Sequence, residues 1–265
     1  LFPLKLFFES TTFLWNNFRE ESVSLLEALY MKCIYLDHSA TTPVEPEVVT
    51  AMSPYFHVHF GNPSSLYSIA EVSRNALEES RSTIASFIGA NANEIFFTSC
   101  GTESDNQAIL TTARRQKNKG QHIITSSIEH HAVLHAFQQL EKEGFQVTYL
   151  PVDSNGIVHP ETLQKAMTPT TTLVSIMHAN NEVGTIQDIP ALAKIAHAQG
   201  ALFHTDAVQA IGKVPVDVQT LDVDLLSSSA HKLYGPKGVG FLYAKQGTPF
   251  STFLYGGGQE KKKRP

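Results

Sequence analysis

Cysteine is scarce: the 265 residues hold two, Cys33 and Cys100, too few for a disulfide framework, and neither stands in a CxxC pair. A reducing compartment is the simpler expectation, so the chain is read as cytoplasmic. Basic excess is also lacking, with 20 Lys and Arg against 25 Asp and Glu and a formal net charge of −5. That balance offers no footprint for direct nucleic-acid binding. No apolar run approaches the length of a membrane span, so no membrane partner is expected. No strand is followed by GxGxxG, which argues against a nicotinamide-binding turn. There is no internal repeat, and the one low-complexity tract, Lys261-Lys262-Lys263-Arg264, reads as a solvated end.

What is present is ordinary for a globular protein: 42% apolar and 17% charged residues, in a length that suits one large α/β domain. Residues 1–30 do not begin with methionine, and the first is Met31. Their Glu9, Glu20, Glu21 and Glu27 against a single Arg19 fit neither a secretory signal nor a mitochondrial leader, so the segment reads as an extension. From Ile34 the pattern becomes regular. A short strand is expected at Ile34–Leu36, a helix from Pro46 to Met52, and a long helix from Ser68 to Ile88 that Gly89 stops. Strands are expected at Ile95–Thr98, His122–Thr125, Gln146–Leu150, Leu173–Met177, Leu202–Thr205, Leu225–Ser228 and Gly240–Ala244. Helices at Glu103–Arg115, His131–Glu143, Pro160–Ala166 and Ile189–Gln199 alternate with them. The strands are mostly continuous apolar runs, which implies a mainly parallel sheet covered on both faces.

Ligands of such sheets collect at the carboxyl ends of strands, so the polar residues just past each strand are the candidates. Gly101 and Thr102 open a helix whose free N–H groups favour a phosphate; alternatively Thr102 and Asp105 form a capping box. His130 can stack on an aromatic ring. His131 and His135 share a helix face, but no HExxH glutamate or third ligand accompanies them, and no metal is expected. Asn181 lies in the polar loop HANNEVG. Asp206 closes an apolar strand, where a carboxylate requires a cation such as a protonated pyridine nitrogen or else caps the next helix. Gln209 follows three residues on. In SSSAHKLYGPKGVG, Lys232 stands between small residues with His231 and a Gly-Pro turn, a setting for a Schiff-base lysine beside a phosphate that Ser229 and His231 can bind. Phosphate site, stacking imidazole, pyridinium carboxylate and reactive lysine converge on pyridoxal 5′-phosphate.

The motifs YLDHSATTP, FGNPSSLY, FTSCGTESDN, SSIEHHAVL, MHANNEVGTIQDI, HTDAVQAIGK, SSSAHKLYGPKGVGFLY and GGGQE together resemble a cysteine desulfurase of the class V aminotransferase family, fold-type I pyridoxal-phosphate enzymes. The resemblance runs from about Ile34 to Glu260. It implies that residues 31–45 belong to a small domain and 46–265 to the cofactor-binding large domain. It also implies covalent attachment at Lys232, a phosphate site of Gly101, Thr102, Ser229 and His231, and a pyridinium partner in Asp206. Gln209 and Asn181 would contact the ring oxygen, and His130 would stack on the ring and move protons. Lys232, His130 and Asp206 are thus the expected catalytic residues. The implied reaction takes sulfur from L-cysteine, giving alanine and a protein persulfide, in a homodimer that serves an iron–sulfur scaffold or a tRNA-thiolation enzyme.

After Glu260 the family's Arg-Gly-x-Arg-Ser-Gly-Thr gives way to KKKRP, and the family's downstream sulfur-carrying cysteine loop does not follow. The expectation is a C-terminally truncated large domain without the C-terminal small domain, with impaired turnover. The alternatives are an inactive cofactor-binding fragment, or a relative such as a selenocysteine lyase or an aminotransferase. Cys100 is expected to be a small buried residue rather than a substitute sulfur carrier.

Overall fold

The computed structural model describes residues 34–265, so the expected extension at 1–30, like Cys33, lies outside the described residues. Two compact units are distinguished, Leu1–His38 and Ser39–Pro265. In the first, Ile34–Leu36 is not a strand; Ile34 and Leu36 are 76% and 84% exposed. Three apolar residues supply the composition of a strand but no ladder to join.

The second unit begins with helices α1 (Pro46–Met52), α2 (Pro54–His57) and α3 (Ile69–Phe87), after which Gly89 takes a left-handed φ of 70°. Then follow β1 (Ile95–Thr98), α4 (Gly101–Gln116), β2 (His122–Ser126), α5 (His131–Lys142), β3 (Gln146–Leu150) and α6 (Pro160–Ala166). The chain continues through β4 (Thr171–Ser175), α7 (Ile189–Ala198), β5 (Leu202–Asp206), α8 (Val218–Leu221), β6 (Leu225–Ser229) and β7 (Gly240–Ala244). The seven strands form one sheet in the order β1-β7-β6-β5-β4-β2-β3. All pairings are parallel except those of β7, which runs antiparallel to both β1 and β6. The reason is the short connection from Ser229 to Gly240, which holds only a 3₁₀ turn at Ala230–Lys232 and no crossover helix.

Side chains alternate between two cores. Ile124, Val174, Phe203 and Leu226 face one that includes Ala85, Leu163, Leu192 and Val218 from α3, α6, α7 and α8. Their neighbours Ile123, Leu173 and Leu202 face the other, with Ile109 and Ala113 of α4 and Val133 and Phe137 of α5. This period of two decides the site: on β5, Leu202, His204 and Asp206 all point towards α4, and on β6 so do Leu225, Ser227 and Ser229. Most of α4 is buried, including Ser104, Asp105, Gln107, Thr111 and Thr112. The closing residues are not simply solvated. Lys263 Nζ donates to the Phe250 carbonyl at 2.9 Å and Arg264 pairs with Glu103, because the tail folds back onto α4. Among the described residues no helix is long and apolar enough to cross a membrane.

Candidate functional site

Four strand ends and one helix N-terminus meet above the sheet. Gly101 is the first residue of α4, where early N–H groups have no intrahelical acceptor. A Cβ at Gly101 would stand 2.7 Å from Val208 Cγ2 and 3.6 Å from Ser229 Cβ, so the α4 start, the loop after β5 and the end of β6 are in contact there. Gly240 allows the approach from the other side, since a Cβ would lie 2.6 Å from the Ser228 carbonyl oxygen and 2.8 Å from the Cys100 carbonyl carbon. Beside this cradle the Ser229 hydroxyl is buried and has no hydrogen-bond partner. Thr102 is exposed on the first turn of α4.

The capping-box reading of Thr102 and Asp105 does not hold. The Glu103 carboxylate instead accepts the Ser99 N–H at 2.8 Å and the Ser99 hydroxyl at 2.5 Å, while Asp105 is buried under the helix. Cys100, the residue before α4, is half-buried rather than buried, with an extended φ of −173°. Its position on the rim of the cradle leaves part of it open.

Asp206 ends β5 and is 5% exposed. One of its oxygens accepts the Val208 N–H at 2.9 Å, closing a turn rather than capping a helix. Burial pushes its carboxyl up, against the opposing pull of that N–H, of His130 and of Lys232. His130 precedes α5 with its ring exposed, and its Nδ1 accepts the Ala132 N–H at 3.1 Å, which fixes the ring. Asp105, His130 and Asp206 each bring one ligand-capable atom within 4.8 Å of the others. His131 and His135 stack on one another at 5.3 Å between ring centroids.

Lys232 closes the turn after β6. Its ammonium donates to the Ser39 carbonyl and, at 2.7 Å, to that of Ala40. The neighbouring His231 Nδ1 lies 3.1 Å from Thr41 Oγ1, and burial with the charges of Lys232 and Lys237 lowers its pKa. Tyr234 keeps a left-handed φ of 60° while its N–H donates to Thr42 Oγ1 at 2.8 Å. Gln209 reaches the same loop through the Ser39 carbonyl at 2.9 Å. Asn181 donates its amide to its neighbour Glu182 at 2.6 Å. The preceding Asn180 instead shapes that loop, accepting the N–H groups of Glu182 and Val183.

A polar layer that sequence reasoning missed lies beneath the site. His204 shares hydrogen bonds with Ser175 at 2.8 Å and Ser227 at 3.0 Å, and Asp105 Oδ1 sits 3.6 Å from His204 Nε2. Burial drives the His204 pKa down to about 3, so the ring is neutral. Glu129 accepts the Met177 N–H on both oxygens at 3.0 Å and the Ser126 hydroxyl at 2.6 Å, and burial raises its pKa to about 8. The available signal was a polar residue inside an apolar strand, His204 in LFHTD.

The buried, unpartnered Ser229 hydroxyl beside a helix N-terminus and the buried Asp206 one strand away fit the phosphate and the protonated ring nitrogen of pyridoxal 5′-phosphate. Similarity to known proteins points the same way. The cysteine desulfurase IscS of Methanosarcina thermophila is 55% identical over 233 residues, 88% of this chain and 58% of that protein. The cysteine desulfurase IscS of Dictyoglomus turgidum is 55% identical over 231 residues, 87% of this chain and 59% of that protein. Among solved structures, a NifS-like protein has a TM-score of 0.86 at 43% identity, covering 88% of this chain and 64% of that one. SspA in complex with cysteine has a TM-score of 0.85 at 40% identity, covering 88% and 67%. This chain thus spans under three-fifths of the length of those two curated relatives. The aminotransferase class-V model matches residues 34–264, and desulfurases of that kind depend in general on pyridoxal phosphate. Sheet order, strand-end chemistry and sequence identity therefore agree that this chain belongs to the aminotransferase class-V family.

Proposed function

We propose that this chain is the pyridoxal-phosphate-binding part of a cysteine desulfurase, removing sulfur from L-cysteine to give L-alanine and a protein persulfide. One observation carries the cofactor reading: an unpartnered, buried Ser229 hydroxyl at the α4 N-terminus, with Asp206 and Lys232 on neighbouring strand ends. The names of the relatives carry the choice of cysteine. When bound, the cofactor supplies an electron sink for a carbanion at the substrate α-carbon.

The chain's residues hold and orient. Ser229, Thr102, His231 and the N–H groups after Cys100 bind the phosphate. Asp206 keeps the ring nitrogen protonated, and its burial strengthens that charge pairing. His130, with Nδ1 accepting the Ala132 N–H and hence its proton on Nε2, would offer its ring face to the cofactor ring and its Nε2–H as a proton donor. Gln209 and Asn181 supply donors for the ring oxygen. Lys232 Nζ would be the covalent attachment point for the cofactor, and its amine, once released, would supply a base for the substrate α-proton. Lys232, His130 and Asp206 are thus the proposed catalytic residues, and no metal is assigned a role.

The working assembly is a homodimer that passes sulfur to an iron–sulfur scaffold or a tRNA-thiolation enzyme in the cytoplasm. Exposed Phe56, Phe60, Leu66 and Tyr67, next to Ile69 and Val72 of α3, provide apolar surface for a second copy.

The test is attachment. Borohydride treatment of the chain mixed with pyridoxal 5′-phosphate is expected to fix the cofactor to Lys232 in a peptide map, and Lys232→Ala to take up none. Labelling of another lysine sinks the site. Absence of α-proton exchange from the loaded chain with L-cysteine sinks the desulfurase reading but leaves the cofactor reading standing.

A further inference from the structure

Asp105 is used by none of the roles above. It is 1% exposed on the underside of α4, one oxygen has no hydrogen-bond partner, and it faces β5 and β6. A carboxylate oxygen of Asp105 lies within 4.8 Å of one from Asp206, with an imidazole nitrogen of His130 equally close. At that distance two buried anions repel too strongly to coexist, so the pair keeps a proton.

The surroundings decide which member holds it. Asp206 has the Val208 N–H on one oxygen and the favourable charge of Lys232. Asp105 has the Ser227 hydroxyl in its favour, while Asp206, Glu129 and Cys100 all act against its ionisation. The ring 3.6 Å from it, His204, is neutral, with both nitrogens engaged by Ser175 and Ser227. Burial, followed by the field of Asp206, pushes the Asp105 carboxyl well above the usual carboxylate range.

We propose that Asp105 is a positioning residue for Asp206: it holds the one proton that the pair shares and leaves Asp206 as the single anion of the two at the strand end. A neutral acid there does two things. It packs against the Asp206 carboxylate without repelling it, and it adds no second negative charge to draw the ring nitrogen's partner out of place. The charge assignment belongs to the chain itself, while its consequence for cofactor binding rests on the proposed pyridoxal-phosphate reading.

The experiment labels the aspartate side-chain carboxyl carbons with ¹³C in the cofactor-free chain, which leaves Glu129 silent. One resonance is expected to stay at the neutral-acid position between about pH 5 and pH 8, to be lost in Asp105→Asn, and in Asp206→Asn to remain but titrate at lower pH, because burial still acts on Asp105 while the field of Asp206 is gone. A neutral resonance that survives in Asp105→Asn, or no neutral resonance at all in the parent, overturns the proposal. Pyridoxal 5′-phosphate then reads the consequence. Asp105→Ala is expected to weaken its binding about tenfold, and Asp105→Asn, a neutral acid mimic, to restore it to within about twofold of the parent. An Asn variant as weak as the Ala variant overturns the neutral role. Should Asp105→Ala not fold, the resonance and Asp105→Asn decide. Failure of the parent chain to bind the cofactor, with the resonance as expected, counts against the cofactor reading and not against the charge assignment.

Discussion

Gln209 and Lys232 donate to one acceptor, the carbonyl of Ser39, so the proposed attachment lysine and a proposed ring-oxygen contact are both tied to the Ser39–Thr42 loop. Thr42 completes the tie by donating its N–H and its hydroxyl to the His231 carbonyl at 2.9 and 3.0 Å. A single such hydrogen bond contributes about 1 kcal/mol net. Gln209→Ala is therefore expected to speed exchange of the Thr42 amide about fivefold, measured by hydrogen exchange in the cofactor-free chain. Unchanged exchange would mean that Lys232 and the Thr42 bonds hold the loop alone.

Gly101 is required by contact rather than by dihedral angle. The Cβ of Gly101→Ala would crowd Val208 Cγ2 at 2.7 Å, an overpacking that costs about 1–3 kcal/mol. Adding Val208→Ala should restore the melting temperature but not the affinity for pyridoxal 5′-phosphate, because the new methyl still stands 3.6 Å from Ser229 Cβ. Recovery of both would remove Gly101 from the phosphate site.

Glu129 gives the fold a pH dependence of definite sign. Its pKa rises from an ordinary 4.5 to about 8 on burial, so the folded chain binds a proton that the unfolded chain has released. The stabilisation is complete below the unfolded pKa and is lost as pH rises towards about 8. His204, lowered to about 3, acts in the opposite sense, losing stability as pH falls below its unfolded value of 6.5. Glu129→Gln should therefore flatten the alkaline fall and leave the acid fall in place, as read from urea midpoints across the pH range. An unchanged alkaline slope would show that Glu129 is ionised in the fold.

The sequence reveals strand ends better than it reveals what lies under them. β1, β3, α6 and β7 begin and end where their apolar runs meet turn residues, and Gly101, Asp206 and Lys232 follow from looking just past strands. Asp105 was misread because the spacing from Thr102 imitates a local cap, whereas α4 is buried on most sides and its polar residues answer to the sheet. The direction of β7 depends on connection length, which composition does not display. The Lys261–Arg264 tail looked solvated because its partners, Glu103, Phe250 and Ala92, are far away in sequence.

The same kind of distant pairing sets the last prediction. β1 is an edge strand of the sheet, and its outward Ile95 carbonyl and Phe97 N–H would lack ladder partners. Arg81, buried in the middle of α3, donates to that carbonyl at 2.8 Å and grips Glu260 through two nitrogens at 2.8 and 2.9 Å. Glu260 accepts the Phe97 N–H at 2.9 Å, so the ion pair closes the edge. Removing one partner of a buried pair strands the other charge, at about 3–5 kcal/mol. Glu260→Ala should lower stability by that amount and expose the Phe97 amide to exchange. Arg81→Met combined with Glu260→Ala should recover part of the loss, since no unpaired charge then remains. If the double variant is less stable than Glu260→Ala alone, Arg81 stabilises the fold through its Ile95 bond and its stacking over Phe97, 4.8 Å from the ring centroid, rather than through the pair.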